Sequence, residues 1–268
     1  MTDISELNRR GLVLIGCGRM GGALLDGWLK NGLAPAAVHV VDPNPRPELA
    51  GLGVSVNGGL PADPAVLVIA VKPQMMADVL PRLSVGADTL VVSVAAGVTI
   101  AAYQAAFPAS AIVRTMPNTP AAIGQGITAI IGNARATEPD LALAETLMSA
   151  VGRVVRLTAE DQMDAVTALS GSGPAYVFHM IEAMAAAGEA EGLSPALALE
   201  LARATVAGAG ALAVAEDEDP AKLRANVTSP GGTTAAGLGA LMDPDTGLPP
   251  LMRRTIAAAA ARGRELGK

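Results

Sequence analysis

Three glycines near the start of the chain, Gly16, Gly18 and Gly21, follow an apolar run in the order G-x-G-x-x-G, with Cys17, Arg19 and Met20 between them. That spacing can cradle a pyrophosphate. The first glycine permits a tight turn, the second lets backbone amides approach an anion, and the third lets a helix pack closely on a strand. A helix opening there points the positive end of its dipole at the phosphates. Asp42 closes the next apolar run. A carboxylate at that point can accept a hydrogen bond from a ribose 2′-hydroxyl and repels a 2′-phosphate. Arg46, four residues on, can instead receive such a phosphate, and Asp42 also suits a turn before Pro43. NADH and NADPH both stay open as partners. Cys17 reads as a small apolar filler, or as a thiol acidified by the helix N-terminus.

A second group lies at 228–234, Thr-Ser-Pro-Gly-Gly-Thr-Thr. Gly231 and Gly232 bare their backbone N–H groups, and the residues after them can open a helix. The loop can therefore hold a carboxylate, with Thr233 and Thr234 adding hydroxyl donors and Ser229 beside them. Asn118 sits between two prolines at the end of a strand, where it can orient a ligand or form a turn. Ser172 starts a long helix, either as its N-cap or facing a site. An acidic cluster at 216–219 can hold a protonated nitrogen or be a solvated loop.

Other chemistries lack their residues. With His39, His179 and Cys17 as the only imidazoles and thiol, histidine clusters, metal sites and disulfide frameworks are not expected. His179, in an alanine-rich helix, and His39, within a strand, need no function. The chain carries 19 basic and 25 acidic residues, a net charge of −6, with no basic cluster to bind nucleic acid.

The elements that must position these residues follow from the apolar pattern. Short buried runs at 11–15, 38–41, 66–71, 89–94, 111–114, 127–131 and 154–157 read as strands. A helix at 21–31 follows the glycine loop. Strands alternating with helices imply a doubly wound, mostly parallel sheet of the Rossmann type. After about residue 160 the strands stop. Helices are expected at 175–191, 195–216, 221–228 and 251–266, with Pro174 and Pro195 at first-turn positions. The reading is a dinucleotide-binding domain over 1–160 and an all-helical domain over 161–268, with the boundary near 158–164.

Apolar residues make up 51% of the chain and the mean hydropathy is +0.41, which raises a membrane span. The stretch 90–113 has no charged side chain, but its glycine and proline divide it into strand, turn and short helix. No apolar segment precedes the first strand, so a cytoplasmic protein without a membrane span is expected. Residues 204–215 are small and apolar on every side, and such a helix is buried on every side. About a hundred helical residues can hardly do this alone, so intertwining with a second copy is expected.

Four further segments carry a resemblance. They are Ala70-Val71-Lys72-Pro73-Gln74, Ala96-Gly97-Val98, Arg114-Thr115-Met116-Pro117-Asn118-Thr119-Pro120, and the pair Ser170-Gly171-Ser172-Gly173-Pro174-Ala175-Tyr176 and Val227-Thr228-Ser229-Pro230-Gly231-Gly232-Thr233-Thr234. With the glycine loop they resemble, in order and over nearly the whole chain, the pyrroline-5-carboxylate reductases. The resemblance implies hydride transfer from NADPH or NADH to the cyclic imine 1-pyrroline-5-carboxylate, giving L-proline. It implies that Thr234 donates to the imine nitrogen, and that Val71, Lys72 and Pro73 meet the cofactor ribose with Ala70, Ala96 and Gly97 nearby. Asn57, in a glycine-rich turn, matches a family asparagine near the adenosine. Homodimers that build the active site near the domain junction, and decamers of dimers, are also implied. Three positions depart from the family pattern: Arg19 for a usual Asn, Asp42-Pro43 after the second strand, and Met242. A hydroxyacid dehydrogenase of the 6-phosphogluconate type shares the Ser-Gly-x-Gly start of the long helix, but its catalytic lysine one turn later has no counterpart here.

Overall fold

The computed structural model describes residues 4–216 and 218–266. Eight short strands form one sheet: β1 (Leu12–Ile15), β2 (Val38–Val41), β3 (Ser55–Val56), β4 (Val66–Ile69), β5 (Leu90–Ser93), β6 (Ile112–Met116), β7 (Gly126–Gly132) and β8 (Gly152–Arg156). Their order is β3-β2-β1-β4-β5-β6-β7-β8. Every pairing is parallel except β6 with β7. That exception has a local cause. Only nine residues, 117–125, join the two strands, too few for the crossover that a parallel pair needs. β3 has no apolar run and was not expected; it forms by pairing His39 with Ser55 and Val40 with Val56.

The parity of each strand sorts its side chains between two cores. Leu12, Leu14, Val66, Val68, Leu90 and Val92 enter one. Val13, Ile15, Leu67, Ile69 and Val91 enter the other. Both faces are covered, which explains why these strands read as unbroken apolar runs. Helix Arg19–Lys30 closes the first core through Leu24, Leu25 and Trp28, whose indole N–H donates to the Leu147 carbonyl at 2.8 Å. Helix Ile100–Ala106 closes the second through Tyr103, followed by Phe107. The uncharged stretch 90–113 is therefore β5, a turn with Gly97 at φ +74°, this helix and the start of β6, rather than one apolar span.

The chain divides into two compact units. The first runs through Gly171 and includes the segment from Ala260; the second is Ser172–Ala259. The division falls later than the expected 158–164 because Met163 and Ala168, in helix Gln162–Val166 and the π-turn Thr167–Gly171, are buried within the first unit. The second unit holds helices Gly173–Ala190, Pro195–Ala215, Pro220–Asn226 and Thr233–Leu241 and much of Leu248–Leu266. Ser194 caps its helix by accepting the Leu197 N–H. The core of this unit is small, with Ala185, Ala198 and Ala202 buried beside Ile181 and Leu199. Leu197, Leu201, Leu212 and Val214 are exposed, Val214 at 73%. In the single chain the helix expected to be buried on all sides thus lies open. By length and composition alone it is also apolar enough to cross a bilayer, with a mean hydropathy of 1.5.

Candidate active site

The strand order reverses direction between β1 and β4, and the glycine loop leaves β1 at that point. Gly16 is held there from both sides: its N–H donates to Val41, and the adjacent Ile15 carbonyl accepts from Ala70, each at 2.8 Å. Gly16 has φ +88°, and a Cβ on it would lie 2.9 Å from both the Ala70 carbonyl oxygen and Val71 Cγ1. A Cβ on Gly21 would lie 2.2 Å from the Gly16 carbonyl oxygen. Gly18 differs. A Cβ there would meet nothing within 4 Å, and it would project into open space at the start of helix Arg19–Lys30, which has no side-chain cap. Two glycines thus let strand and helix approach, and the third keeps the approach to free N–H groups clear. This cradle fits a dinucleotide pyrophosphate.

Asp42 fastens the loop from the end of β2. Its Oδ2 accepts the Cys17 N–H at 2.6 Å and its Oδ1 the Asn44 N–H at 2.8 Å. Asn57 in turn brackets the Asp42 backbone. Its Oδ1 accepts the Asp42 N–H at 3.0 Å and its Nδ2 donates to the Asp42 carbonyl at 2.8 Å. Asn57 does this at φ +50°, a region asparagine enters more readily than most residues. Arg46 makes a two-pronged pair with Asp26 through Nη1 and Nη2. The Cys17 thiol is buried beside it, and burial pushes the thiol pKa up while Arg46 pulls the other way, which favours the filler reading.

The remaining cofactor candidates sit at the same sheet edge. Residues 70–73 follow β4, Ala96 and Gly97 follow β5, and Asn118 follows β6. Lys72 is exposed and opens a 3-10 turn, its carbonyl accepting the Met75 N–H. Both ends of the Asn118 carboxamide are engaged: Oδ1 accepts the Ile127 N–H at 3.0 Å and Nδ2 donates to the Ser170 carbonyl at 3.2 Å. It ties the turn after β6 to β7 and to the π-turn. One arrangement gave no sequence signal. Arg114, buried on β6, pairs with Glu160 at 2.6 Å, and the same Glu160 oxygen accepts the Ile100 N–H at 2.8 Å. The pair anchors the helix that follows the 96–99 turn, yet its members lie 46 residues apart. Beneath it, Ser93 bonds the Tyr103 hydroxyl, whose pKa burial pushes up to about 12.

The anion-loop candidates lie in the second unit. Gly232 N–H donates to the Ser229 carbonyl at 3.0 Å across Pro230 and Gly231, and Gly231 has φ +71°. Proline followed by a glycine at positive φ is the composition of a type II turn. The turn delivers the chain into helix Thr233–Leu241, whose N-terminus has no side-chain cap. Thr233 and Thr234 are exposed on its first turn. Ser172 occupies the cap position of helix Gly173–Ala190 but makes no cap hydrogen bond. In the acidic cluster, Asp219 caps helix Pro220–Asn226 through the Ala221 N–H and Glu218 accepts from Asn226, while Asp217 lies outside the described residues. His179 is exposed and pairs with Glu182, three residues on.

A glycine loop at the reversal point of a parallel sheet, followed by a helical unit with a bare helix start, defines a dinucleotide-binding oxidoreductase of the two-unit kind. Two family models match in that order: an NADP oxidoreductase, coenzyme F420-dependent, over residues 11–97, and pyrroline-5-carboxylate reductase dimerisation over 160–266. The chain is 38% identical over 264 residues to a pyrroline-5-carboxylate reductase of Methanosarcina acetivorans, covering 95% of this chain and 97% of that one. It is 49% identical over 205 residues to that of Synechocystis, covering 76% and 75%. Among solved structures, the Coxiella burnetii pyrroline-5-carboxylate reductase superposes with a TM-score of 0.88 at 34% identity over 97% of this chain and 99% of that one. The Plasmodium falciparum pyrroline carboxylate reductase with NADP bound does so at 0.81 and 27%, with the same coverage. The chain belongs to the pyrroline-5-carboxylate reductase family.

Proposed function

We infer that this chain reduces 1-pyrroline-5-carboxylate to L-proline with NADH or NADPH, the last step of proline biosynthesis. The observation that carries the reading is the 229–232 turn opening an uncapped helix, inside the segment matched by the dimerisation model. When bound, the dihydronicotinamide supplies a hydride to the carbon of the C=N bond. The ring nitrogen gains a proton, the π bond is lost, and the amine of proline results.

The chain's own part is positioning. Gly16, Gly18 and Gly21 with the start of helix Arg19–Lys30, including Arg19 and Met20, hold the pyrophosphate. Asp42 and Asn57 shape the adenosine end, and residues 70–73 with Ala96 and Gly97 line the path of the remaining cofactor. Asn118 acts by keeping its turn in shape. Ser229, Gly231, Gly232 and Thr233 form the seat of the substrate carboxylate, with the Gly231 and Thr233 N–H groups and the hydroxyls as donors and the Gly232 N–H spent on closing the turn to the Ser229 carbonyl. Ser172 borders them, and Thr234 Oγ1 donates to the imine nitrogen.

The working form is a homodimer in which a second copy covers the open apolar face of helix Pro195–Ala215. The dimerisation family supports this, and it accounts for Leu197, Leu201, Leu212 and Val214 without lipid. Five such dimers form a decamer, in the cytoplasm. Purified chain is incubated with the imine and each nucleotide, and nucleotide oxidation and proline formation are followed. Absence of both with either nucleotide defeats the reading. Light scattering reports the assembly, and a monomer of 26.8 kDa at micromolar concentration rules out the dimer.

A further inference from the structure

The adenosine end of the dinucleotide cleft has an arrangement that the reaction itself does not require. A cleft of about 520 Å³ is lined by two arginines, Arg19 and Arg46, and two aspartates, Asp26 and Asp42, with Asn44 between them. The charges balance, so the cleft offers no net attraction to an extra phosphate. Their geometry goes further. Arg46 spends both terminal nitrogens on Asp26, the fork geometry with which arginine grips a carboxylate or phosphate. Its guanidinium lies against the first turn of helix Arg19–Lys30, 3.6 Å from where a Gly22 Cβ would be, and its Nε is buried without a hydrogen-bond partner. Asp42 is fixed at the end of β2 by two backbone amides, one on each oxygen. A carboxylate has about four lone-pair positions, so two remain for hydroxyl donors.

We propose that Asp26 is a specificity-determining residue: by holding Arg46 it withdraws the cation that would grip a 2′-phosphate, leaves Asp42 to meet a free 2′-hydroxyl, and makes NADH the preferred nucleotide over NADPH. Asp26 acts through Arg46. Asp42 by itself can be accommodated beside a phosphate if an arginine is free to neutralise it; with Arg46 engaged, the other arginine of the cleft is Arg19, at the start of the glycine-loop helix where the pyrophosphate is proposed to bind.

This inference rests on the dinucleotide reading above, and its test is chosen to separate the two. Calorimetric titration of the full chain with NAD⁺, NADP⁺, 5′-AMP and 2′,5′-ADP measures the adenosine end without any imine. The wild type is expected to bind NAD⁺ at least tenfold more tightly than NADP⁺. In Asp26→Ala the NAD⁺ to NADP⁺ preference shifts at least tenfold toward NADP⁺, and 2′,5′-ADP gains over 5′-AMP in the same proportion. In Asp26→Ala with Arg46→Ala the gain disappears. Asp26→Asn, which keeps an acceptor for Arg46 but no charge, gives a smaller shift in the same direction and serves if the alanine variant fails to fold. A wild type that prefers NADP⁺, an unchanged ratio in both Asp26 variants, or a shift that survives loss of Arg46 overturns the proposal. A chain that shows the nucleotide pattern but never reduces the imine defeats the reductase reading alone. A chain that reduces the imine with a nucleotide preference unchanged by loss of Asp26 defeats this inference alone.

Discussion

Replacing Gly16 and Gly18 each by alanine separates the architecture of the glycine loop from its chemistry. At Gly16 the new Cβ meets two obstacles at 2.9 Å, one of them a backbone carbonyl oxygen that cannot rotate away, and the residue must keep φ +88°. A non-glycine residue at positive φ costs roughly 1–2 kcal/mol. Forcing a methyl into a filled contact adds about 1–3 kcal/mol. Together, Gly16→Ala should lose about 2–5 kcal/mol of unfolding free energy, a large share of the ~5–15 kcal/mol of an ordinary domain. At Gly18 the new Cβ meets nothing, and φ −71° is open to any residue. Losing glycine at the helix cap costs a few tenths of a kcal/mol or more. A stiffer unfolded chain returns about 0.4–1 kcal/mol. Gly18→Ala should therefore leave stability within about 0.5 kcal/mol of the wild type.

The binding results should run the other way. The Gly18 methyl occupies the space through which phosphate oxygens reach the helix N–H groups. A loss of about 1.4 kcal/mol there is a tenfold rise in Kd, and that is the minimum expected. Urea unfolding by circular dichroism gives the first quantity and calorimetric titration of the dinucleotide the second. If Gly18→Ala bound normally, or Gly16→Ala unfolded at the wild-type midpoint, the division of labour argued from the three contacts would be wrong.

Thr234→Ala should lower kcat well below wild type with little change in dinucleotide Kd; near-normal turnover removes Thr234 from the chemistry. Trp28→Phe leaves the Leu147 carbonyl without its 2.8 Å donor in a buried site, an expected cost of about 1–3 kcal/mol plus a cavity term, read by circular dichroism because Trp28 is the sole tryptophan. Arg156 hydrogen-bonds Glu145 and Glu138 and holds both carboxyls below the ordinary 4.5. A lowered folded pKa stabilises above the unfolded value and loses that contribution as pH falls through the folded one. Arg156→Ala should thus lower the urea midpoint near pH 7, and the deficit should shrink as pH falls through the lowered folded pKa values of the two carboxyls; a deficit that stays constant as the pH is lowered would show that the ion pairs contribute nothing.

The sheet was legible because its strands are buried on both faces, and that state writes itself into a few consecutive residues. The runs at 38–41 and 66–71 mark β2 and β4 for this reason, and Gly16-x-Gly18-x-x-Gly21 marks the turn between strand and helix. β3 left no such trace, since Ser55 and Val56 are half-buried and are strand only by pairing with β2. The Asp26–Arg46 and Arg114–Glu160 pairs were equally hidden. Each joins residues far apart in sequence, 20 and 46 positions, and neither type nor local spacing signals which charge finds which. Arg46 was visible as a phosphate candidate; only the fold shows that its fork is already taken.

The same logic explains why this chain does redox chemistry with so little titratable equipment. Hydride transfer to an imine asks for alignment, one proton and a charge partner for a carboxylate, and the last of these can be backbone. At Gly16 and Gly21 the absent side chain lets elements approach. At Gly18 and Gly231 the same absence leaves N–H groups bare in open space. What looked in composition like missing function, few histidines and few charges, is what the proposed recognition by peptide groups at helix starts would require. The second unit extends the argument to assembly. Its three buried alanines cannot by themselves hold a helical domain, and its exposed leucines sit on the same helix as two of them. A surface of that kind gains stability when covered by another copy, so fold and oligomer are coupled in this unit, while the first unit, with two full cores, has no such need.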